Sequence, residues 1–287
     1  MVTFALLAAI CFGTSDFLGG LASRKSSSLL VVLCFQLVGI LLFGGALLLV
    51  LEPLDGHALL WGIAAGIAYG LGFACYYRGF VVSSMGIVAI FTAVWAAVVP
   101  VAFGLLLGDR PSPTAILGVV IALVAIGLTA NGHNSSQPQP KPQELFKTPG
   151  FLEGTLAGLC FGIFFICLSF PGASSTLWPL LSSTFAALIT TLLIVMLSEG
   201  NTFKLATLAQ TNWLMVMLAG LLQSGGTLAF LFALRSGLLS LSAVLVGLSP
   251  VPTVLLARWL LLEKMHRLQW LGIGLGLLGI ILISAES

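Results

Sequence analysis

The residues able to do chemistry are few and set deep in apolar sequence. In "CFGTSDFLGGLASRK", Asp16 follows an apolar run that begins at Val2. A carboxylate at the centre of an inserted helix costs about 2.5–3.5 kcal/mol on insertion scales, so something must hold it there. Counted from the ends of the runs that carry them, Asp16 and Arg78 differ in depth by only ~6 Å at about 1.5 Å per residue. The expectation is that the two pair, as a charged gate or coupling site, with Asp16 the candidate to take a coupling proton. The plainer alternative is a static salt bridge tying two helices together. Trp95, Tyr69 and Gln223 fall near the middle of their runs, and Gln36 lies slightly nearer one end. Buried amides need hydrogen-bond partners, so Gln36 and Gln223 should face the protein interior. With Thr227 these residues form the candidate substrate-binding set.

Other chemistries find little support. The five cysteines (Cys11, Cys34, Cys75, Cys160, Cys167) sit in apolar stretches without paired spacing, and read as small hydrophobes. The three histidines, His57, His133 and His266, fall in loops. There is no acidic cluster for a metal, no nucleophile–base pair and no glycine-rich phosphate loop. No enzyme activity, cofactor, metal or nucleic-acid partner is expected.

The elements that must carry these residues are membrane spans. Of 287 residues, 59% are apolar and 7% charged, against roughly 25% charged in a soluble domain. A crossing helix needs about 20 apolar residues. Cutting the chain at charges, Pro and Gly clusters gives ten spans: 2–22, 28–51, 58–80, 84–107, 112–130, 151–170, 175–198, 211–235, 238–260 and 267–285. "MVTFALLAAI" has no basic n-region, so the first run is expected to be a retained span. The polar, proline-rich stretch 131–150 is a linker between two groups of five spans, 1–130 and 151–287.

The groups resemble each other. Cys11-Phe12-Gly13 matches Cys160-Phe161-Gly162, Glu52 falls on Glu199, and Ser84 and Val88 fall on Ser240 and Val244. An odd number of spans per group turns the second copy upside down, and inverted repeats of this kind are a transporter signature. Arg78 has an approximate counterpart in Arg235, whereas Asp16 aligns with Phe165.

With these paired units, the stretches "YYRGFVVSSMGIVAIFTAVWAAVVP", "LLGDRPSPTAILGVVIALVAIGL", "FALRSGLLSLSAVLVGLSPVP" and "LLLEKMHRLQWLGIGLGLLGI" make the chain resemble the drug/metabolite transporter superfamily in its ten-helix EamA-type branch. Asp109 stands where the family usually has Glu after the fourth span. The resemblance implies an all-α polytopic fold of two inverted five-helix repeats. It implies secondary transport of small metabolites or drugs, often export, through a cavity among the non-terminal helices of each half.

With amides, hydroxyls and aromatics at mid-depth, the expected cargo is a neutral or zwitterionic metabolite such as an amino acid. The alternative is export of lipophilic cations with Asp16 as counter-ion and Trp95 and Tyr69 as cation–π faces. The expected partners are the lipid bilayer, the small-molecule substrate and protons, in a monomer or weak homodimer. Gly62, Gly66 and Gly70, and Gly272 and Gly276, form smooth stripes for close helix packing. Pro100, Pro250 and Pro252 are expected to interrupt the fourth and ninth helices. Trp61, Trp178, Trp213, Trp259 and Trp270 lie near span ends as interfacial residues, and Arg258, Glu263, Lys264 and Arg267 should be solvated. One side collects Arg24, Lys25, Arg78, Lys141, Lys147, Lys204, Arg258, Lys264 and Arg267, and the other only Arg110 and Arg235. Basic residues favour the cytoplasm, which puts both termini outside in the plasma (inner) membrane.

Overall fold

The computed structural model describes residues 1–23, 26–82, 85–130, 149–172, 175–197, 211–262 and 267–285. Expectations for Arg24, Lys25, Ser84, His133, Lys141, Lys147, Glu199, Lys204, Glu263, Lys264, His266 and most of the linker fall outside these residues. Eleven helices are described: α1 Val2–Ser23, α2 Ser28–Val50, α3 Gly56–Val82, α4 Met85–Leu106, α5 Pro113–Ala130, α6 Phe151–Ser169, α7 Leu177–Leu197, α8 Trp213–Arg235, α9 Leu239–Gly247, α10 Pro250–Leu260 and α11 Arg267–Ser284. The described residues contain no strand.

Most helices are apolar on every face, the pattern of helices surrounded by lipid or by other apolar helices. Eight segments are long and apolar enough to cross a membrane, with Leu239–Leu260 counted as one, and Phe91–Leu106 and Pro113–Thr129 are shorter apolar helices. Large side chains such as Leu49, Leu106 and Leu197 point outward. Between helices the contacts are made by small residues: Ala5, Ala8, Ala65, Ala97, Ala122 and Ala125 are all fully buried. Lipid competes for apolar surface, so helices associate where small residues let backbones meet.

The packing follows the duplication. The seam between α1 and α8 answers that between α6 and α3, and α5 packs along α11 at the periphery. A Cβ on Gly13 would meet the Ser249 carbonyl oxygen and Pro252, and one on Gly162 would meet Val99 and Pro100. The matched Cys-Phe-Gly triplets thus press on proline-bearing segments in both halves. The glycine stripes are packing surfaces: Gly62, Gly66 and Gly70 seat α3 on α7 at Pro179, Ser183 and Thr190, and Gly272 seats α11 on Thr129 of α5.

The prolines behave differently from expectation. Pro250 starts α10 after a break at Leu248 and Ser249, dividing the ninth span, but Pro100 lies inside a continuous α4. Pro250 is at the first position of its helix, where a missing N–H costs nothing.

Call the side on which α1 begins the terminus side and the opposite one the linker side. Alternate crossing puts the α2–α3, α4–α5, α6–α7 and α8–α9 connections on the terminus side.

Candidate functional site

At mid-depth between the halves, α2, α3, α6, α7 and α8 surround a cavity; the space there not filled by atoms is about 430 Å³, part of it continuous with solvent. The last helix of each half, α5 and α11, does not contribute to it, whereas α6, the first helix of the second half, does through Phe164, so the wall is not confined to non-terminal helices. Four of the candidate binding residues line it: Gln36, Tyr69, Gln223 and Thr227. Gln223 lies ten residues into α8 and Tyr69 thirteen into α3, and the Gln223 Nε2 donates to the Tyr69 hydroxyl at 2.6 Å. That bond joins the halves. A second inter-half bond runs from Gln36 Nε2 on α2 to Thr191 Oγ1 on α7, at 3.0 Å. Thr227 Oγ1 donates to the Gln223 carbonyl, 3.0 Å away. The apolar wall includes Phe73 and Phe164, whose rings each lie 4.7 Å from that of Tyr69.

Trp95 is not part of this wall. It sits on α4, where its Cβ approaches Gly158 of α6. Depth placed it correctly, but its position on the helix gives it to the α4–α6 seam.

Asp16 is exposed, but not to the outside of the bundle. It lies among densely packed protein and acts electrostatically on Tyr69 and Tyr76 of α3. Asp16 therefore borders open space of its own, within electrostatic reach of Tyr69 on the cavity wall. The expected pairing with Arg78 is not present in this conformation: among the described residues Asp16 forms no ion pair, and Arg78 acts on Cys75, as does Glu153 of α6. Helix geometry supplies the reason. Tyr69 and Tyr76, seven apart, share a face of α3, whereas Arg78 is rotated by about 200° from Tyr76.

Comparison with known proteins matches the EamA-like transporter family to residues 1–131 and 148–285. The chain belongs to that family. It is accordingly a membrane transporter of the drug/metabolite type and a multi-pass integral membrane protein, in a family of transporters and not of enzymes. No curated protein matches the chain. One solved structure, described only as "Crystal structure of protein", is similar with a TM-score of 0.75 at 16% identity, over 97% of this chain and 96% of that one. At that identity the likeness shows the fold alone.

In this EamA-like transporter the terminus side is bolted shut by residues that sequence reasoning did not select. Glu52, in the α2–α3 connection, accepts from the backbone amides of Thr176 and Leu177 at 2.7 and 3.0 Å, where α7 begins. A carboxylate there satisfies orphan amides and complements the positive helix end. Trp178 Nε1 donates to the Pro53 carbonyl at 2.8 Å, so it is a fastening as well as an interfacial ring. From the end of α8, Arg235 donates to Gly172 O at 3.1 Å and Thr176 Oγ1 at 2.7 Å, and also to Ser175 O. Trp61 stacks on Phe170, ring centroids 3.9 Å apart. Asp109, after α4, accepts from the Ser240 amide in the first turn of α9, at 2.9 Å. Burial alone would raise the Glu52 carboxyl, but the hydrogen-bonding groups of Ser175, Leu177 and Thr176 and then the Arg235 charge outweigh it and hold it below its ordinary value. The only sequence signal for this network was the presence of Glu52, Asp109 and Arg235 at span ends.

Proposed function

We propose that this protein is a secondary active exporter in the plasma (inner) membrane, moving a small metabolite of no net negative charge by alternating access, with proton coupling through Asp16. The observation that carries the reading is the mid-depth cavity shared by both halves, with the Glu52–Arg235 network tying the halves together on the terminus side; access from the other side, past Asp16, is part of the proposal. A two-sided scaffold held shut on one face is one half of an alternating-access cycle. The charge bias makes the linker side cytoplasmic, so the described conformation is open inward and both termini are external. A C-terminal fusion to a phosphatase active only outside the cell should then be active; a bright fusion to a fluorescent protein that matures only inside would reverse the orientation.

The transport reading is tested by counterflow of labelled small metabolites into vesicles containing the full chain. Tyr69→Phe and Gln223→Leu should each slow the carried solute about tenfold or more, since each breaks the bond across the cavity. Wild-type rates in both would remove the cavity from the pathway. Solute-driven proton uptake, followed with a trapped pH-sensitive dye, should vanish in Asp16→Asn; its persistence would end the coupling role.

A further inference from the structure

Around the cavity most of the free hydrogen-bonding positions are acceptors, the exception being the Tyr69 hydroxyl, which accepts from Gln223 and keeps its own proton. Ser183 and Thr184 on α7 donate their hydroxyl protons to the Leu180 carbonyl, at 2.9 and 2.7 Å, and Thr227 has given its own to Gln223. A hydroxyl has one proton to give, so these three keep only lone pairs for a ligand. Gln36 is 2% exposed, and with its amide nitrogen committed to Thr191, its Oε1 has no hydrogen-bond partner. A buried acceptor without a donor is costly, and native proteins keep one where a water or ligand will complete it. Among the described residues no Lys, Arg or His lines the cavity. The Asp16 carboxylate lies within electrostatic reach of Tyr69.

We infer that this cavity takes a small protonated primary amine, its ammonium donating to Gln36 Oε1 and its compact apolar body lying against the rings of Tyr69, Phe73 and Phe164. The inference rests on the transport reading and narrows its substrate class. An ammonium brings the N–H donors that Gln36 and the hydroxyl oxygens lack, and its charge is welcome beside aromatic faces and a carboxylate. A quaternary ammonium has the charge but no N–H, so Gln36 Oε1 would stay unsatisfied. A zwitterionic amino acid has the N–H groups, but its carboxylate would be desolvated with no cation to meet it and only the Tyr69 hydroxyl to donate to it, beside the Asp16 carboxylate. The site thus selects against both the lipophilic quaternary cation and the amino acid.

Three probes with one aromatic body separate these cases: phenethylamine, its N,N,N-trimethyl derivative and phenylalanine, tested on the purified full chain by thermal shift and, in vesicles, by competition with the carried solute. Phenethylamine should stabilise and compete, with each of the others weaker by about tenfold or more. Gln36→Leu should reduce the amine to the level of its trimethyl derivative. Gln36→Glu keeps the acceptor and removes the donor, so it should retain amine binding. Equal or tighter binding of the trimethyl compound or of phenylalanine overturns the inference. So does unchanged amine binding in Gln36→Leu, lost binding in Gln36→Glu, or no binding of phenethylamine at all. Should Gln36→Leu fail to fold, the three probes on the wild-type chain decide. A solute carried by the protein while phenethylamine neither binds nor competes removes the amine assignment and leaves the transport reading standing. Carriage untouched by Tyr69→Phe and Gln223→Leu removes the transport reading itself.

Discussion

A side chain on a helix has a depth and a direction, and Asp16 and Arg78 agree only in the first. Counting residues from a span end fixes depth well, because each residue adds about 1.5 Å. It says nothing of azimuth, and Arg78 acts on Cys75 while Asp16 acts on Tyr69 and Tyr76, on a different face of α3. Trp95 went astray for the same reason. Gln36 and Gln223 did not, because a buried amide carries its own directional demand: it must find hydrogen-bond partners, and only protein provides them at that depth. The separation of Asp16 from Arg78 is measurable. In a double-mutant cycle on transport rate, Asp16→Asn and Arg78→Ala should act independently, with a coupling energy within about 0.5 kcal/mol. A coupling well above 1 kcal/mol would mean that the two charges meet during the cycle.

At the scale of the element, glycines decide how close the halves can come. A Cβ at Gly66 would overlap the Ser183 carbonyl oxygen, and its next neighbour, the Ala186 Cβ, would be 2.8 Å away. Backbone cannot yield there without moving α3 off α7. At Gly45 on α2, nothing lies within 4 Å of the same added atom. Gly66→Ala should therefore destabilise by roughly 1–3 kcal/mol through overpacking, while Gly45→Ala should be neutral or gain up to about 1 kcal/mol from helix propensity. Thermal unfolding of both variants in one detergent checks the contrast; equal melting temperatures would show that the α3–α7 seam is looser than described. The spacing of Gly62, Gly66 and Gly70 made this seam legible in the sequence, since four-residue steps stay on one helix face. Span positions were legible too, because lipid requires long apolar runs and charges end them. The division of the ninth span at Ser249 was half legible: Pro250 and Pro252 marked the place, but Pro100 looked the same and left α4 continuous. Whether a proline breaks a helix depends on whether neighbours satisfy the freed carbonyl, and that is tertiary information.

At the scale of the whole molecule, the closed terminus side is the feature least visible in sequence, since each of its bonds joins residues distant in the chain. Glu52 reaches α7 across a separation of 124 residues. Against the opposing effect of burial, its carboxyl is held below its ordinary value of 4.5 by the hydrogen-bonding groups of Ser175, Leu177 and Thr176 and by the Arg235 charge. A depressed carboxyl contributes its full stabilisation above the unfolded value and loses it as pH falls through the lower, folded one. The closure should thus be intact at neutral pH and weaken only below about 4.5. Glu52→Gln should loosen it at every pH, because an amide accepts less strongly from the two backbone donors and has no charge for Arg235. The reporter is Thr227→Cys in a chain whose five native cysteines are replaced, treated with a membrane-impermeant thiol reagent. In inside-out vesicles, which present the linker side if that side is cytoplasmic, it should label readily. In right-side-out vesicles the labelling rate, divided at each pH by that of the same cysteine in detergent to remove the loss of thiolate in acid, should be low at pH 7, higher at pH 4, and high at both in Glu52→Gln. Labelling that prefers right-side-out vesicles would place the open side outside the cell. Labelling from the terminus side that ignores both acid and Glu52→Gln would show that Glu52 does not hold the closed end, leaving Asp109 on α9 and Trp61 on Phe170 to do so.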